Sequence, residues 1–297
     1  MSIDRTDLEA SFSEVVSANV IEYATEASAA LSSFPTIPLT SATYRQPVLT
    51  ALPTSGFLAA DQDAKPQSGA AWDGVTHTPE ELAVIVPISM SAIADANFDV
   101  VGTVERLIGQ EFARAIDAAA FFGTGAPTSW PATGIVGAAI TATQTLTETA
   151  DLGDDINNVF GLVEAATDVT HVFGGRQLKT GLRGLTGPAG GPAYVPTLGA
   201  ANVDSLYGVP LRYPLGWDWS TAHVLAMDAK GVQVGIRQNI EISTSEHATL
   251  TTFGSLWEKD SVAIRAHMRI SLVHVNPISI HTGAQFLPFA VIEDDGV

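Results

Sequence analysis

The chain has no cysteine. Disulfides, thiolate nucleophiles and cysteine-bound zinc are therefore excluded. Positive charge is scarce as well: 14 lysines and arginines stand against 32 aspartates and glutamates, for a net charge of -18. So acidic a chain repels phosphate and cannot grip nucleic acid over a broad surface. Charged residues of both signs make up only 15% of the 297 residues. No apolar run reaches the ~18 residues of a membrane helix. The start, Met1-Ser2-Ile3-Asp4-Arg5-Thr6-Asp7, lacks the basic-then-apolar layout of a secretory signal. What is there is apolar bulk, 46% of the residues. At this length a chain can bury roughly 75% of the surface that its unfolded form exposes.

Helical and strand periods alternate along the chain, which predicts an α+β fold. Residues 7 to 33 read as a helix capped by Asp4 or Asp7, with a loose apolar face of Val15, Val16, Ala18, Val20, Ile21, Ala24 and Leu31. Pro35 and Pro38 end it. Its apolar area is small for its length, so it reads as an arm lying on another surface. Residues 44 to 89 read as an extended hairpin. Residues 44 to 50 and 57 to 60 are strand expectations, and Asp61 through Gly69 form a polar tip. Trp72 leads back to a buried strand at Leu82-Ala83-Val84-Ile85-Val86. A hairpin of that length is marginal alone and needs a second surface.

Residues 98 to 122 carry the clearest helical period: Val101, Val104, Leu107 or Ile108, Phe112, Ala115, Ile116 and Ala119. Asp95 or Asn97 is its expected cap, and Arg114 is spaced to pair with both Glu111 and Asp117. Gly123-Thr124-Gly125 stops it. Beyond lie an expected helix at 154 to 166 and short strands at 171 to 173, 209 to 212, 223 to 227 and 232 to 236. Residues 181 to 199, rich in glycine and proline, read as a mobile loop. From 261 to 275 the residues alternate. Val262, Ile264, Ala266, Met268, Ile270 and Leu272 point one way, while Ala263, Arg265, His267, Arg269 and Ser271 point the other. A strand so long is expected to carry a bend or bulge.

Chemical motifs are weak throughout. Gly174-Gly175-Arg176-Gln177-Leu178-Lys179-Thr180 ends like a phosphate loop, but Leu178 holds the place of the second glycine, and a strand-to-helix turn explains it better. The seven histidines form neither H-x-H nor H-E-x-x-H. Asp61 and Asp63 could touch calcium, yet the remaining ligands of a calcium loop are missing and a solvated turn is the plainer reading. Trp217 and Trp219 suggest a small packed cluster, or a ligand platform beside the glycine-rich region. No catalytic residue, cofactor site or metal site is expected.

The order of segments resembles the major capsid proteins of tailed double-stranded DNA phages. Pro47-Val48-Leu49-Thr50-Ala51-Leu52-Pro53 with Gly56-Phe57 looks like the strand into that family's extended loop. Glu80-Glu81-Leu82-Ala83-Val84-Ile85-Val86-Pro87-Ile88-Ser89 looks like the return strand. Phe112-Ala113-Arg114-Ala115-Ile116-Asp117 and Phe122-Gly123-Thr124-Gly125 look like the spine helix and its end. Leu206-Tyr207-Gly208-Val209-Pro210, Asp228 with Val234-Gly235-Ile236-Arg237, and Asp260-Ser261-Val262-Ala263-Ile264-Arg265-Ala266 resemble later segments of the same fold. These strings span residues 40 to 280. Encapsulins, the shells of bacterial compartments, share the fold and are the nearest alternative. An enzyme or ligand-binding protein built around Trp217 and Trp219 is a further one.

The resemblance implies an N-terminal arm at 1–42, an extended hairpin at 43–90, a peripheral domain from 91–130 and 251–290, an axial domain at 131–250 and a tail at 291–297. It implies a structural, non-enzymatic subunit that forms pentamers and hexamers around DNA without sequence-specific binding. The particle would be built in the bacterial host cytoplasm. Portal, decoration and scaffolding proteins are implied partners. The hairpin begins within about 45 residues of Met1, so no long cleaved scaffolding segment is expected ahead of it and a separate scaffolding protein is. Subunit contacts are expected at Asp61, Asp63, Lys65, Trp72, Arg265, His267 and Arg269. Some members cross-link through a loop lysine; Lys65 is the only lysine of this hairpin. No motif sets a partner for it, Asn276 being a guess, and an exposed lysine is the plainer reading.

Overall fold

The computed structural model describes residues 24, 28–58, 65, 67–96, 100–149, 151–185, 205–279, 283 and 285–294. In chain order a short helix, Ala29–Ser33, is followed by β1 (Thr36–Pro38), β2 (Tyr44–Ala51), β3 (Ala71–His77) and β4 (Glu80–Ser89). A short helix, Met90–Asp95, precedes the long helix Val100–Phe122. Helix Gly134–Thr141, β5 (Thr145–Thr147), helix Leu152–Glu164, β6 (His171–Gly174) and helix Leu178–Gly184 come next. The chain ends with β7 (Ser205–Leu206), β8 (Val209–Arg212), β9 (Ala222–Met227), β10 (Val232–Ser245), β11 (Thr249–Leu250), β12 (Gly254–Ser255), β13 (Ser261–His274) and β14 (Phe289–Glu293).

Two sheets organise these elements. One has the order β1-β10-β13-β4, the other β5-β14-β9-β6-β8-β7. The long helix forms where the apolar period predicts. Ile108, Phe112, Ile116, Ala119 and Ala120 are buried in one cluster with Ile264, Ala266, Met268, Ile270 and Leu272 of β13. Its 23 residues make a rod of roughly 34 Å. Gly123 ends it at φ +70, and a Cβ there would stand 2.3 Å from the Ala132 carbonyl oxygen, so only glycine fits.

The same cluster covers one face of the six-stranded sheet through Phe173, Leu225, Met227, Phe289 and Val291. The alternate residues Val172, Val224, Ala226, Ala290 and Ile292 face a second core. There Ile156, Val159, Phe160 and Val163 of helix Leu152–Glu164 and Leu178 and Leu182 of helix Leu178–Gly184 close over them. Period-two alternation thus builds a sheet sandwiched between two layers.

Several expectations change. The end of the N-terminal arm is not laid on a foreign surface: Ala29, Ala30 and Phe34 are buried in the chain's own main core. Phe34 sits between Phe121 and Phe173, with ring centroids 5.8 and 5.9 Å away. Most of the helix expected at 7 to 33, with its caps, lies outside the described residues, as do Asn97 and Asp99. Asp95 closes the preceding short helix. Residues 57 and 58 are not in a strand. Residues 82 to 86 are half of a one-sided strand rather than a buried run, since β4 alternates and leaves Ile85 47% exposed. The strand expected at 232 to 236 runs on to Ser245 and pairs with β13, not with the other short strands. The bulges lie in β10, between the pairs Ile236/Gln238 and Gln238/Glu241, while β13 stays regular. The tail expected from 291 begins inside β14, which pairs with β5 and β9 and is buried through Ile292. Residues 181 to 184 are helical, and residues 186 to 199 lie outside the described set.

Ile116 is 2% exposed at the centre of the main core. Ile116→Asp is expected to abolish folding, because it places an unpaired charge there. Ile116→Ala is expected to fold with a loss of about 2–5 kcal/mol. Far-UV circular dichroism and urea unfolding check both; a folded Ile116→Asp protein would overturn the packing assignment.

Candidate functional site

The β2–β3 hairpin pairs from Tyr44 opposite His77 to Ala51 opposite Ala71. Val48, Thr50, Trp72, Val75 and Thr76 favour extended backbone, yet none of them is buried. Across both strands His77 alone is buried. It anchors the base: its Nδ1 lies 3.1 Å from the Ser271 hydroxyl on β13. Burial holds its imidazole pKa below the ordinary value, so the anchor is a neutral ring. Beyond that base the ribbon exposes Trp72 at 66%, together with Tyr44, Phe57 and Leu58. Lys65 is exposed as expected. Asp61 and Asp63 lie outside the described residues. The Arg45–Asp73 pair at 3.4 Å is open to solvent on both sides and stabilises little.

The second surface is the outer face of the four-stranded sheet. Arg265, His267 and Arg269 lie on it at alternate positions of β13, as the alternation predicts. Opposite them on β4 stand Ile85, Ala83 and Glu81, and on β10 Ser243, Glu241 and Gln238. Arg265 is exposed and donates from Nε to the Ser243 hydroxyl at 3.2 Å. Half-buried His267 has its Nε2 3.5 Å from Oε2 of Glu241. Arg269 is half-buried between Glu81 and Gln238 in register. Ser271, expected on this open face, is instead 1% exposed, because His77 and the hairpin base cover that end.

A third feature was invisible in the sequence. Asp117 does not pair with Arg114 on the helix surface; it is 1% exposed. Its carboxylate accepts from the Ser28 hydroxyl at 2.7 Å, the Ala29 and Ala30 amides at 3.1 and 3.0 Å, and the Leu215 amide at 3.0 Å. Burial pushes its pKa up, against the downward pull of those bonds. Arg114 bonds Glu111 alone, with Nε 2.9 Å from Oε2. Asp117 lies far along the chain from the helix start that it caps, and no sequence motif links the two.

The two tryptophans expected as a packed cluster or ligand platform are half-buried among their neighbours. Trp217 packs on Phe121 and Phe122 and donates to the Ala222 carbonyl at 2.6 Å. Trp219 stacks on His223, and both indoles crowd Gly175. Gly174 to Thr180 is the strand-to-helix turn expected, between β6 and helix Leu178–Gly184. A cleft of about 410 Å³ between the long helix, β4 and the loop at 124–130 is lined by Glu80, Leu82, Arg114, Ile116, Trp130 and Ile270, without histidine, serine or lysine. Among the described residues no helix is long and apolar enough to cross a membrane.

The family model described as the phage capsid family matches residues 13–284. Among solved structures the chain is similar to one from Microbacterium phage Oxtober96, at 38% identity over 91% of each chain with a TM-score of 0.80. It is also similar to one from Mycobacterium phage Bobi, at 27% identity over 91% of each chain with a TM-score of 0.80. The capsid of a native GTA particle shares the fold at 14% identity, covering 92% of this chain and 90% of that one with a TM-score of 0.63. No curated protein matches.

Asp117→Ala leaves buried donors on Ser28, Ala29, Ala30 and Leu215 without an acceptor. The expected loss is about 2–3 kcal/mol or more at neutral pH. A carboxyl whose pKa is raised by folding favours the fold most below the unfolded value and loses that contribution as pH rises through the folded one. The deficit of the alanine variant is therefore expected to be largest in acid and to narrow toward neutral pH. Urea unfolding of both proteins across that range checks it; equal stabilities would show the anchor to be incidental.

Proposed function

The chain belongs to the phage capsid family and is a structural subunit of a phage shell, and on that premise we propose that it assembles as pentamers and hexamers through its hairpin and the arginine face of β13. The observation that carries this reading is the hairpin, which has one buried side chain at its base and exposed Trp72, Phe57 and Leu58 beyond it. A two-stranded ribbon gains little stability in water by itself. Aromatic and aliphatic side chains so displayed mark an interaction surface. The partner is a second copy of the same chain, since a shell repeats one subunit.

In this reading the four-stranded sheet with the long helix is the peripheral domain. The six-stranded sheet with its helices, β14 included, is the axial domain. The shell encloses double-stranded DNA without reading its sequence, and a net charge of -18 keeps packaged DNA from adhering to the wall. Assembly takes place in the host cytoplasm with a separate scaffolding protein, and portal and decoration proteins complete the particle. Asp61, Asp63, Lys65 and Trp72 belong to the inter-subunit contact, and the subunit has no catalytic role.

Arg265 and Arg269 supply two of only 14 basic side chains on this acidic subunit. A guanidinium fork holds a carboxylate by two hydrogen bonds, and a neighbouring copy offers many carboxylates. An encapsulin-like compartment shell is the alternative with the same fold; it is not favoured, because the whole-chain similarities are to phage proteins.

Two experiments test this reading. Deleting residues 61 to 69 is expected to leave the subunit folded, with unchanged far-UV circular dichroism, while negative-stain microscopy shows no closed particles. Intact particles from the deletion variant would remove the hairpin from the assembly surface. Arg265→Glu with Arg269→Glu is expected to give soluble, folded subunits whose sedimentation shows no capsids at ordinary salt. Normal capsids from that double variant would mean that the face is only solvated.

A further inference from the structure

Glu148, His223 and Asp294 meet at one end of the six-stranded sheet, which contains neither the hairpin nor β13. Glu148 follows β5, His223 is the second residue of β9, and Asp294 follows β14, which lies between those two strands. Backbone pairing sets this up: the Glu148 amide donates to the Glu293 carbonyl at 3.2 Å, and Glu293 stands opposite Ala222. His223 is 4% exposed. Its Nδ1 lies 2.8 Å from Oε2 of Glu148 and its Nε2 3.7 Å from Oδ1 of Asp294. Neither ring nitrogen makes a directed hydrogen bond. One ligand atom from each of the three residues falls within 4.8 Å of the others. Trp219 covers the imidazole face, with ring centroids 4.2 Å apart.

We propose that His223 and Asp294, with Glu148 orienting the imidazole, form a binding site for a divalent transition-metal ion of the zinc class. A buried imidazole facing two carboxylates and left without a directed hydrogen bond is a costly arrangement unless something completes it. The gap between Nε2 and Asp294 is too long for a hydrogen bond. It suits an ion, because two ligands each about 2.1 Å from one metal stand roughly 3–4 Å apart. One imidazole nitrogen and carboxylate oxygens are a donor set for zinc, cobalt or manganese rather than for calcium or magnesium, which take oxygen ligands. Only one ring nitrogen can ligate. With Nε2 on the ion, the proton of Nδ1 turns to Glu148, the arrangement that fixes the tautomer of a ligating histidine. Both carboxylates reach solvent, at 32% and 30% side-chain exposure, so water can fill the remaining positions. The ion would tie the ends of β9 and β14 together, with Glu148 after β5 steering the ligating ring, and so lock β14 into its sheet.

The test uses full-length protein, stripped with a chelator and then titrated with zinc or cobalt. Zinc is expected to raise the unfolding temperature by several degrees in a saturable way, as binding to the folded state alone requires. Cobalt is expected to quench the tryptophan emission with one ion per subunit, because Trp219 lies on the ligating ring. His223→Gln and Asp294→Asn should each abolish both responses. Should His223→Gln fail to fold, Glu148→Gln, at a half-exposed position, is expected to weaken zinc binding at least tenfold. Zinc without effect on the unfolding temperature, or the same response in wild type and Asp294→Asn, would overturn the site.

Discussion

The body of this subunit hangs on one buried carboxylate. Asp117 sits on the long helix and accepts four hydrogen bonds, three from Ser28, Ala29 and Ala30 and one from Leu215. The first three are the donors at the start of a five-residue helix, which could not persist alone in water. Ser28 serves twice, since its hydroxyl also accepts from the Leu31 amide at 3.1 Å. With that helix fixed, Phe34 enters the core beside Phe121 and Phe173. The chain then has no choice but to run along the edge of β10 as β1, in parallel register from Thr36 opposite Val234 to Pro38 opposite Ile236. Pro38 is tolerated there because β1 is an edge strand. The hairpin leaves the body from that point, so its placement depends on a contact made wholly outside it.

The two sheets divide the work of holding and offering. The six-stranded sheet is covered on both faces, and all of β9 is buried. The four-stranded sheet is covered by the long helix on one face only. Its other face carries the arginines, and the hairpin springs from its end through His77 and Ser271. Stability therefore comes from helix packing and a doubly covered sheet, while the exposed aromatics cost the isolated subunit little. A shell protein needs this separation, because its contacts must form late and between copies without unfolding the body that presents them.

Much of this was legible in the chain. The strict alternation from Val262 to Leu272 named the inner and outer faces of β13 residue by residue. The three-four spacing from Ile108 to Ala119 named the stripe of the long helix. Asp117 misled for a physical reason: an aspartate three residues from an arginine on an amphipathic helix looks like half of a surface pair, and only distant backbone amides converging on it reveal a buried anchor. β10 seemed to stop at Ile236 because its bulges break the period of two. β14 looked like a tail because a four-residue apolar run near the end of a chain carries no sign of its neighbours. Glu148, His223 and Asp294 come from three separate segments that only strand order brings together.

Charge sets the final constraint on association. Copies that each carry a net charge of -18 repel one another as wholes. At physiological salt the repulsion is screened beyond about 8 Å, so what decides association is the composition of the surfaces that touch. The outer face of β13 answers with two arginines set among Glu81 and Glu241, so part of the local acidity is already offset within the subunit. Arg265, exposed and bonded among the described residues to the Ser243 hydroxyl, keeps most of its guanidinium donors open to solvent. Ile85 beside it adds apolar area that an ion pair alone lacks. Strong global repulsion with a few complementary local patches favours association in one geometry over indiscriminate clumping. A subunit of a shell must close rather than aggregate, and an excess of one charge disfavours the indiscriminate contacts that clumping requires.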